Sequence, residues 1–150
     1  MREVVEHPGG VTVAALTDND ELMFVRQFRY PYSEVLLELP AGKLEYGEDP
    51  FEAGKRELRE ETGAVCDRLT FIGDFYSSPA ILDEVIHMYL AEGLHMGEAS
   101  PDDDEFLNLI SMPLDALCDM AARGEITDGK TQGAAVLKVR YIIDKRSKKQ

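Results

Sequence analysis

Cysteine and histidine are scarce in this 150-residue sequence, which has two cysteines and three histidines. Cys66 and Cys118 lie far apart and form no CxxC pair, and the histidines show no ligand spacing with either of them. Zinc sites and disulfide frameworks depend on such spacing. The sequence therefore predicts neither a zinc site nor a disulfide.

Long apolar runs are also lacking. No segment approaches the ~18 apolar residues that a membrane-spanning helix needs. The first ten residues, MREVVEHPGG, have none of the apolar core of a signal peptide. Hydrophobic residues at 44% and charged residues at 30% are ordinary for a globular chain. We therefore expect one domain over residues 1–150, located in the cytoplasm and without a membrane partner.

Positive charge is in short supply, because 16 lysines and arginines stand against 29 acidic residues for a formal net charge of -13. Such a chain repels phosphate backbones, so we expect no nucleic-acid partner. The basic tail from Lys138 to Lys149 is better explained as a helix C-terminus, where the helix dipole favours cations. An acidic enzyme with anionic substrates uses divalent cations as intermediaries.

Short β-rich runs outnumber the helical segments. The runs VTVAAL and ELMFVRQF, separated by TDND, predict a β-hairpin. After EVLLEL, Pro40 and Gly42 predict the end of a strand and an irregular loop through Gly47. We expect an α/β sandwich of mixed sheets with helices packed outside. Further strands are predicted at LTFIGDFY, EVIHMYLAEGL and EFLNLISM, and helices at PLDALCDMAARGEI and GKTQGAAVLKVRYIIDKR.

One helix has clear signals at both ends. Asp49 suits the N-cap, Pro50 suits the first helical position, and Glu52 stands where a capping box places its second residue. Gly63 is a typical C-terminal stop. The sequence therefore predicts a helix between Asp49 and Gly63.

Three glutamates of this helix, Glu57, Glu60 and Glu61, share one face by their spacing. Their mutual repulsion calls for a compensating cation. A solvated surface helix is the alternative, and the interleaved Lys55, Arg56 and Arg59 leave the two interpretations about even on spacing alone.

The loop before the helix favours the metal interpretation. Gly42 allows a turn where a Cβ would clash, and it lets the Ala41 carbonyl face the helix beside the carboxylates. An oxygen-only ligand set suits Mg²⁺ or Mn²⁺, which keep bound waters and bridge to substrate phosphates.

Glycine, glutamate and arginine residues follow a fixed spacing through the loop and the helix, at Gly42, Glu48, Arg56-Glu57-Leu58, Glu60-Glu61 and Gly63. This spacing resembles the Nudix box. The resemblance implies a Nudix-type α/β/α sandwich with the Nudix loop and helix, and hydrolysis of a diphosphate linked to a second group. Ala64 departs from the pattern, which usually has a larger aliphatic residue there.

The same resemblance assigns roles within the box. It implies that Glu57, Glu60 and Glu61 are metal-binding carboxylates, with Glu61 also counted as catalytic, and that the Ala41 carbonyl is a further ligand. Glu48 and Arg56 are then a structural pair that braces the loop against the helix. Bound Mg²⁺ would polarise the phosphoryl oxygens and lower the pKa of a water.

Five segments flank the box or overlap its start: REVVEHPGGV, VRQFRYP, LELPAGKLE, SSPAILDEVIHMYLAEGL and DDDEFLNLISMPLDALCDMAARGEITDGKT. Together they resemble the bacterial ADP-ribose pyrophosphatase group nearly end to end. Pro79, sixteen residues after Gly63, matches a proline of that group, whereas Ala80 stands where the group has glycine. The resemblance implies Mg²⁺-dependent hydrolysis of ADP-ribose to AMP and ribose 5-phosphate.

Members of that group carry additional N-terminal strands before the segment that matches REVVEHPG. Those strands pair two subunits and cover the adenine, so the resemblance implies a homodimer. The same comparison predicts either a shortened family member or an incomplete sequence.

Several candidate site residues lie outside the box. The resemblance implies that Arg29 binds a phosphate oxygen, with a charged residue that keeps an edge strand soluble as its alternative. Arg2 is a second candidate for the phosphate role. The resemblance implies that a glutamate of the loop PDDDEF activates water, with Glu105 as the first choice and Asp104 as the second. A solvated acidic loop is the alternative. Glu84 is a candidate for holding substrate hydroxyls, with a simple strand-start charge as its alternative.

Two other functions remain open at this stage. Ala80 and the N-terminal difference affect the parts that select sugar and base, so another nucleoside diphosphate sugar or a dinucleotide is the nearest alternative substrate. A non-catalytic Nudix domain that senses ADP-ribose is the second alternative. Such a domain is expected to have lost box glutamates or gained a DNA-binding module, and this sequence shows neither change.

Overall fold

A computed structural model describes residues 2–97, 108–131 and 136–148. These residues form two β-sheets with helices packed against them. The strands are β1 (Gly10–Ala15), β2 (Glu21–Arg29), β3 (Glu34–Glu38), β4 (Ala41–Lys43), β5 (Ala64–Tyr76), β6 (Val85–Met96) and β7 (Asn108–Pro113), and the helices are α1 (Pro50–Thr62), α2 (Leu114–Ala122) and α3 (Leu137–Ser147).

The two sheets differ in their strand directions. The larger has the order β4-β1-β6-β5, with β1 and β6 parallel and its other pairs antiparallel. The smaller has the order β3-β2-β7 and is antiparallel in both pairs. The predicted α/β sandwich is confirmed, but only the larger sheet is mixed.

The predicted hairpin between the first two runs is wrong. β1 and β2 belong to different sheets and share a single antiparallel bridge, Leu16 with Leu22. The physical reason is that β1 is buried on both faces, with Val13 packed on the α1 side and Ala14 in the core between the sheets. Its two edges are taken by β4 and β6, so the chain turns at Asp20, where φ is 56°, into the other sheet.

The loop predicted at Pro40 and Gly42 contains the short strand β4. Thr12 of β1 lies opposite Ala41, and Gly10 lies opposite Lys43. A three-residue strand rich in small residues leaves no β-pattern in the sequence, and the pairing partner far earlier in the chain defines it. β4 places Ala41 and Gly42 at the edge of the larger sheet, beside α1.

Helix α1 has the predicted ends. The Asp49 side chain accepts hydrogen bonds from the backbone N–H groups of Phe51 and Glu52, and Gly63 closes the helix with φ of 73°. The carboxylate of Glu52 pairs with Lys55 Nζ at 3.0 Å, where the capping box would direct it back to Asp49. The helix therefore ends as predicted, with a different partner for Glu52.

Other boundaries differ from the expectation. β5 begins directly after the helix at Ala64, five residues before the predicted start at Leu69. α2 begins after Pro113 rather than at it, and the predicted C-terminal helix is seen as α3 from Leu137. Within the described parts of the chain, no helix is both long enough and apolar enough to cross a membrane.

Two apolar clusters hold the layers together. One joins the facing sides of both sheets to α2 and α3 and includes Phe24 and Leu117. The other packs α1, through Ala53 and Leu58, on the outer face of the larger sheet. α1 is thereby fixed against β1, β4 and β5, which sets the direction of its polar face.

Candidate active site

A cavity of about 820 Å³ opens where the two sheets meet α1. Polar side chains dominate its wall and carry charge of both signs. Carboxylates come from α1, and cations come from β2 and from the segment before α3. The lining of the cavity includes Arg29, Gly42, Arg56, Glu57, Glu60 and Lys130.

At one side of the cavity, β4 approaches α1 closely. A Cβ built on Gly42 would lie 1.9 Å from Glu57 Oε1 and 2.1 Å from Glu57 Cδ. No side chain fits there without moving the carboxylate. The predicted steric need for glycine at this position is confirmed, and its cause is the carboxylate of Glu57.

Arg56 joins the loop to the helix. Its Nε and Nη2 donate to the two oxygens of Glu48 at 2.8 and 2.9 Å, and Nη2 also donates to the Lys43 carbonyl at 3.2 Å. This bidentate pairing is the geometry that a guanidinium and a carboxylate favour. The predicted structural pair of Glu48 and Arg56 is confirmed.

The remaining nitrogen of Arg56 contacts the helix carboxylates. Nη1 donates to Glu57 Oε1 at 2.7 Å and to Glu60 Oε2 at 2.9 Å. Hydrogen bonding to Glu48, with added contributions from Glu57 and Glu60, raises the pKa of Arg56 above its ordinary value. Arg56 thus supplies the positive charge that clustered carboxylates require.

Glu61, the last of the three helix glutamates, points toward β4. Glu61 is 3% exposed, and its Oε2 accepts a hydrogen bond from the Ala41 backbone N–H at 3.0 Å. Ala41 itself lines the cavity. The structure therefore brings Glu61 to the residue whose carbonyl was predicted as a metal ligand.

The donor set fits a divalent cation in chemistry. Glu57 and Glu60 line the cavity and converge on one positive charge, Nη1 of Arg56, through oxygen atoms of the kind that Mg²⁺ prefers. No three His, Cys, Asp or Glu side chains of the described residues are close enough to hold a metal ion in this arrangement. The metal-ligand roles of Ala41, Glu57, Glu60 and Glu61 stay predictions.

Arg29 lies at the cavity, as predicted, but it has a protein partner that the sequence did not reveal. Its Nε and Nη2 donate to the two oxygens of Glu38 at 2.6 and 2.7 Å. Lys130 Nζ donates to the same carboxylate at 2.7 Å. Burial raises the pKa of Glu38, but the bonds from Arg29 and Lys130 outweigh it and leave the pKa below its ordinary value.

Glu38 and Lys130 are the site residues that sequence reasoning missed. Glu38 ends β3 and is 2% exposed, and an acidic residue closing the run EVLLEL is the one local signal. Lys130 lies in the segment GEITDGKT, 92 residues further along the chain. Only the packing of that segment on β3 shows that the two residues belong together.

The other predicted residues are divided by the structure. Glu84 lines the cavity, where its Oε2 accepts a bond from Ser77 Oγ at 2.5 Å and its Oε1 lies 3.4 Å from His7 Nδ1. Pro79 lies in an exposed turn after β5, and Arg2 is exposed; neither belongs to the described lining of the cavity. The predicted bases Glu105 and Asp104 lie outside the described residues.

This chain is similar to several known proteins. A family model described as "NUDIX domain" matches residues 6–131. The chain is 43% identical over 143 residues to a "Methanol dehydrogenase activator" of Bacillus methanolicus, covering 94% of this chain and 75% of that protein. It is also 43% identical over 132 residues to an "ADP-ribose pyrophosphatase" of Bacillus subtilis, covering 87% of this chain and 71% of that protein.

More distant matches widen the range of named substrates. A "GDP-mannose pyrophosphatase" of Yersinia enterocolitica is 33% identical over 142 residues, covering 87% of this chain and 73% of that protein. A solved structure described as an "ADP compounds hydrolase" superimposes with a TM-score of 0.82 at 23% identity, covering 92% of this chain and 74% of that one. The structural match concerns the fold.

Proposed function

This chain belongs to the Nudix family of pyrophosphohydrolases, and we propose that it hydrolyses the diphosphate of ADP-ribose to AMP and ribose 5-phosphate. We propose that the reaction depends on a divalent metal ion, Mg²⁺ or, in its place, Mn²⁺. The observation that carries the proposal is a single cavity with helix carboxylates on one side and two cations on another. A metal diphosphate presents both signs of charge and needs both kinds of partner.

The proposed roles follow from the positions of the side chains. Glu57, Glu60 and Glu61, with the Ala41 carbonyl, would hold the metal, because they bring oxygen atoms to the junction of β4 and α1. When bound, Mg²⁺ polarises phosphoryl oxygens and lowers the pKa of water. Arg29 directs a guanidinium at the cavity, where it would bind a phosphate oxygen.

The bond changes are those of a phosphoanhydride hydrolysis. The oxygen of water attacks one phosphorus, the bond between that phosphorus and the bridging oxygen breaks, and the other phosphate leaves with the bridging oxygen. We propose Glu105, or Asp104 in its place, as the base that takes the proton of the water. Glu84 would accept hydrogen bonds from substrate hydroxyls through its carboxylate at the cavity wall. Arg2 and Pro79 stay candidates for substrate contacts.

We further propose that the protein works as a cytoplasmic homodimer on a small nucleotide, without a nucleic-acid or membrane partner. The net charge of -13 disfavours the last two. The homodimer is the state that the resemblance to the ADP-ribose pyrophosphatase group implies. Light scattering coupled to size exclusion measures the mass directly, and a monomer at micromolar concentration would contradict the homodimer.

A substrate panel tests the proposed function. Release of nucleoside monophosphate is measured with ADP-ribose, ADP-glucose, GDP-mannose and flavin adenine dinucleotide, with Mg²⁺ and with a chelator. We expect the highest kcat/KM for ADP-ribose and no release with the chelator. Equal or faster turnover of GDP-mannose would move the assignment to the function named for the more distant relatives. Binding of ADP-ribose without turnover of any compound would instead indicate a sensing domain.

A further inference from the structure

We propose that Glu38 is a positioning residue that holds Arg29 and Lys130 together as one phosphate-binding unit, the cationic clamp. This inference rests on the proposed diphosphate chemistry of the cavity and concerns how the chain presents its cations to that group. Within the described chain, the three residues form one connected set of hydrogen bonds beside the cavity.

Both oxygens of the Glu38 carboxylate accept hydrogen bonds from the two cations. Its Oε1 accepts from Arg29 Nε at 2.6 Å, and its Oε2 accepts from Arg29 Nη2 at 2.7 Å and from Lys130 Nζ at 2.7 Å. Glu38 is 2% exposed. A buried carboxylate is stable only when it is paired and hydrogen-bonded, so these contacts specify where both cations lie.

Lys130 is anchored a second time from its own segment. Its Nζ also donates to Asp128 Oδ1 at 2.9 Å, and Asp128 Oδ2 accepts from both the backbone N–H and the hydroxyl of Thr131 at 3.0 and 2.5 Å. Thr131 Oγ1 accepts in turn from the Leu39 backbone N–H at 3.0 Å. The segment that carries Lys130 is therefore fixed to the end of β3, next to Glu38.

Both cations keep donors for a ligand. The bonds of Arg29 to Glu38 use the Nε hydrogen and one Nη2 hydrogen, which leaves the second Nη2 hydrogen and both hydrogens of Nη1. The Arg29 side chain is 41% exposed at the cavity. Lys130 donates two of its three N–H bonds within the described structure, and it too lines the cavity. Two donors fixed on one carboxylate suit the oxygens of a diphosphate.

The alternative is an ion pair that only stabilises the fold. The two possibilities differ in what happens when the charge of Glu38 is removed. A positioning role predicts that Arg29 and Lys130 become free to adopt many rotamers, whose entropy is then lost on binding substrate, so KM rises. A structural role predicts a lower stability with an unchanged KM in the folded fraction.

The test is Glu38→Gln, which keeps the shape of the side chain. We expect KM for ADP-ribose to rise about tenfold, with kcat changed less than about threefold. Lys130→Met should raise KM similarly, and the double variant should be no worse than the poorer single one, because both changes disrupt one unit. Glu34→Gln is the matched control, since Glu34 lies opposite Arg29 on β3, is exposed and does not line the cavity.

Binding of inorganic pyrophosphate with Mg²⁺, measured by titration calorimetry, separates this inference from the proposed function. Weaker pyrophosphate binding by Glu38→Gln than by Glu34→Gln supports the clamp even when the wild type hydrolyses no ADP-ribose. If the Glu38→Gln variant has the same KM and the same pyrophosphate affinity as the wild type, the clamp is overturned, whereas ADP-ribose hydrolysis is not affected. A wild-type protein that binds no pyrophosphate would overturn the clamp as well.

A second variant covers the case in which Glu38→Gln does not fold. Asp128→Asn removes the negative charge of the second anchor of Lys130, which weakens that hydrogen bond, and it leaves the buried Glu38 in place. We expect a rise of about threefold in KM and a parallel loss of pyrophosphate affinity. An unchanged KM and an unchanged pyrophosphate affinity in Asp128→Asn would count against the clamp.

Discussion

The carboxylate of Glu57 occupies the space that a side chain at Gly42 would need. A Cβ at Gly42 would lie 1.9 Å from Glu57 Oε1, and the backbone of Gly42 is held in place by the pairing of β4 with β1. The two residues are fifteen positions apart, and they define the junction at which β4 meets α1. Any side chain at Gly42 must therefore displace the carboxylate.

We expect Gly42→Ala to reduce kcat/KM by at least about 100-fold, because Glu57 would lose the position proposed for metal binding. The fold should survive, since the three atoms nearest to a Cβ at Gly42 belong to the Glu57 side chain and not to the backbone. Steady-state kinetics with circular dichroism checks both statements. Nearly wild-type activity in Gly42→Ala would contradict the metal role of Glu57.

Gly54→Ala should have the opposite character and serves as the control for Gly42→Ala. Gly54 lies within α1, and a Cβ there would meet Leu69 and Tyr89 at 3.4 Å, which is ordinary packing distance. Because glycine costs about 1 kcal/mol relative to alanine in a helix, we expect the free energy of unfolding to rise by about 0.5–1 kcal/mol. Urea unfolding measures the gain. A loss of stability would show that the pocket around Gly54 is tighter than its contacts indicate.

Glu61→Gln should abolish hydrolysis and leave the fold intact. The amide oxygen of glutamine can still accept the Ala41 N–H bond, so the local structure has a substitute acceptor. The negative charge proposed to bind the metal is lost. Turnover of ADP-ribose and calorimetric Mg²⁺ affinity should fall together while thermal unfolding stays close to wild type. A fully active variant would remove Glu61 from the metal site.

Arg56→Met should destabilise the protein by about 2 kcal/mol, because it removes the hydrogen bonds that Arg56 donates to three clustered carboxylates. The carboxylates concerned are those of Glu48, Glu57 and Glu60. Millimolar Mg²⁺ should restore more stability to this variant than to the wild type, since a bound cation replaces the lost charge. Lys55→Met is the control, because its pair with Glu52 is exposed and contributes little.

A variant without response to Mg²⁺ would contradict the idea that Arg56 balances the same charges that bind the metal. Thermal unfolding of the Arg56→Met and Lys55→Met variants, each with and without Mg²⁺, decides the matter. The comparison is informative at equal protein concentration, because ligand binding shifts the apparent stability by mass action.

The stability should depend on pH through Glu92. Burial raises the pKa of Glu92, but hydrogen bonds from Arg146 and Arg68 outweigh it and leave the pKa below its ordinary value of 4.5. Its ion pairs therefore stabilise the fold fully above pH 4.5, and this contribution is lost as the pH falls through the lower folded value. They also tie α3 to β6, because Arg146 lies on α3.

We expect Glu92→Gln to be less stable than the wild type at pH 7, with the difference shrinking as the pH falls below 4.5. Urea unfolding at several pH values measures it. Glu125→Gln is the control, because the Glu125 pair with Arg123 is fully exposed to water and should leave the unfolding free energy unchanged. A constant difference between Glu92→Gln and the wild type at all pH values would show that Glu92 does not titrate as proposed.

Local signals accounted for the parts of the fold that were predicted well. Asp49 and Gly63 mark the ends of α1 because caps depend on a few neighbouring residues. Pairing between distant segments accounted for the errors. β4 exists because β1 offers it an edge, and β2 leaves β1 for the other sheet because both edges of β1 are taken.

The sequence by itself determined the chemistry of α1. Helical geometry alone places Glu57, Glu60 and Glu61 on one face of the helix, and the spacing of the box residues indicates the family. Tertiary structure decided which groups face these carboxylates. Glu38 and Lys130, 92 residues apart, meet only through the packing of the segment before α3 on β3. The partner of a buried charge can come from any part of the fold, so no local pattern in the sequence predicts which residue it is.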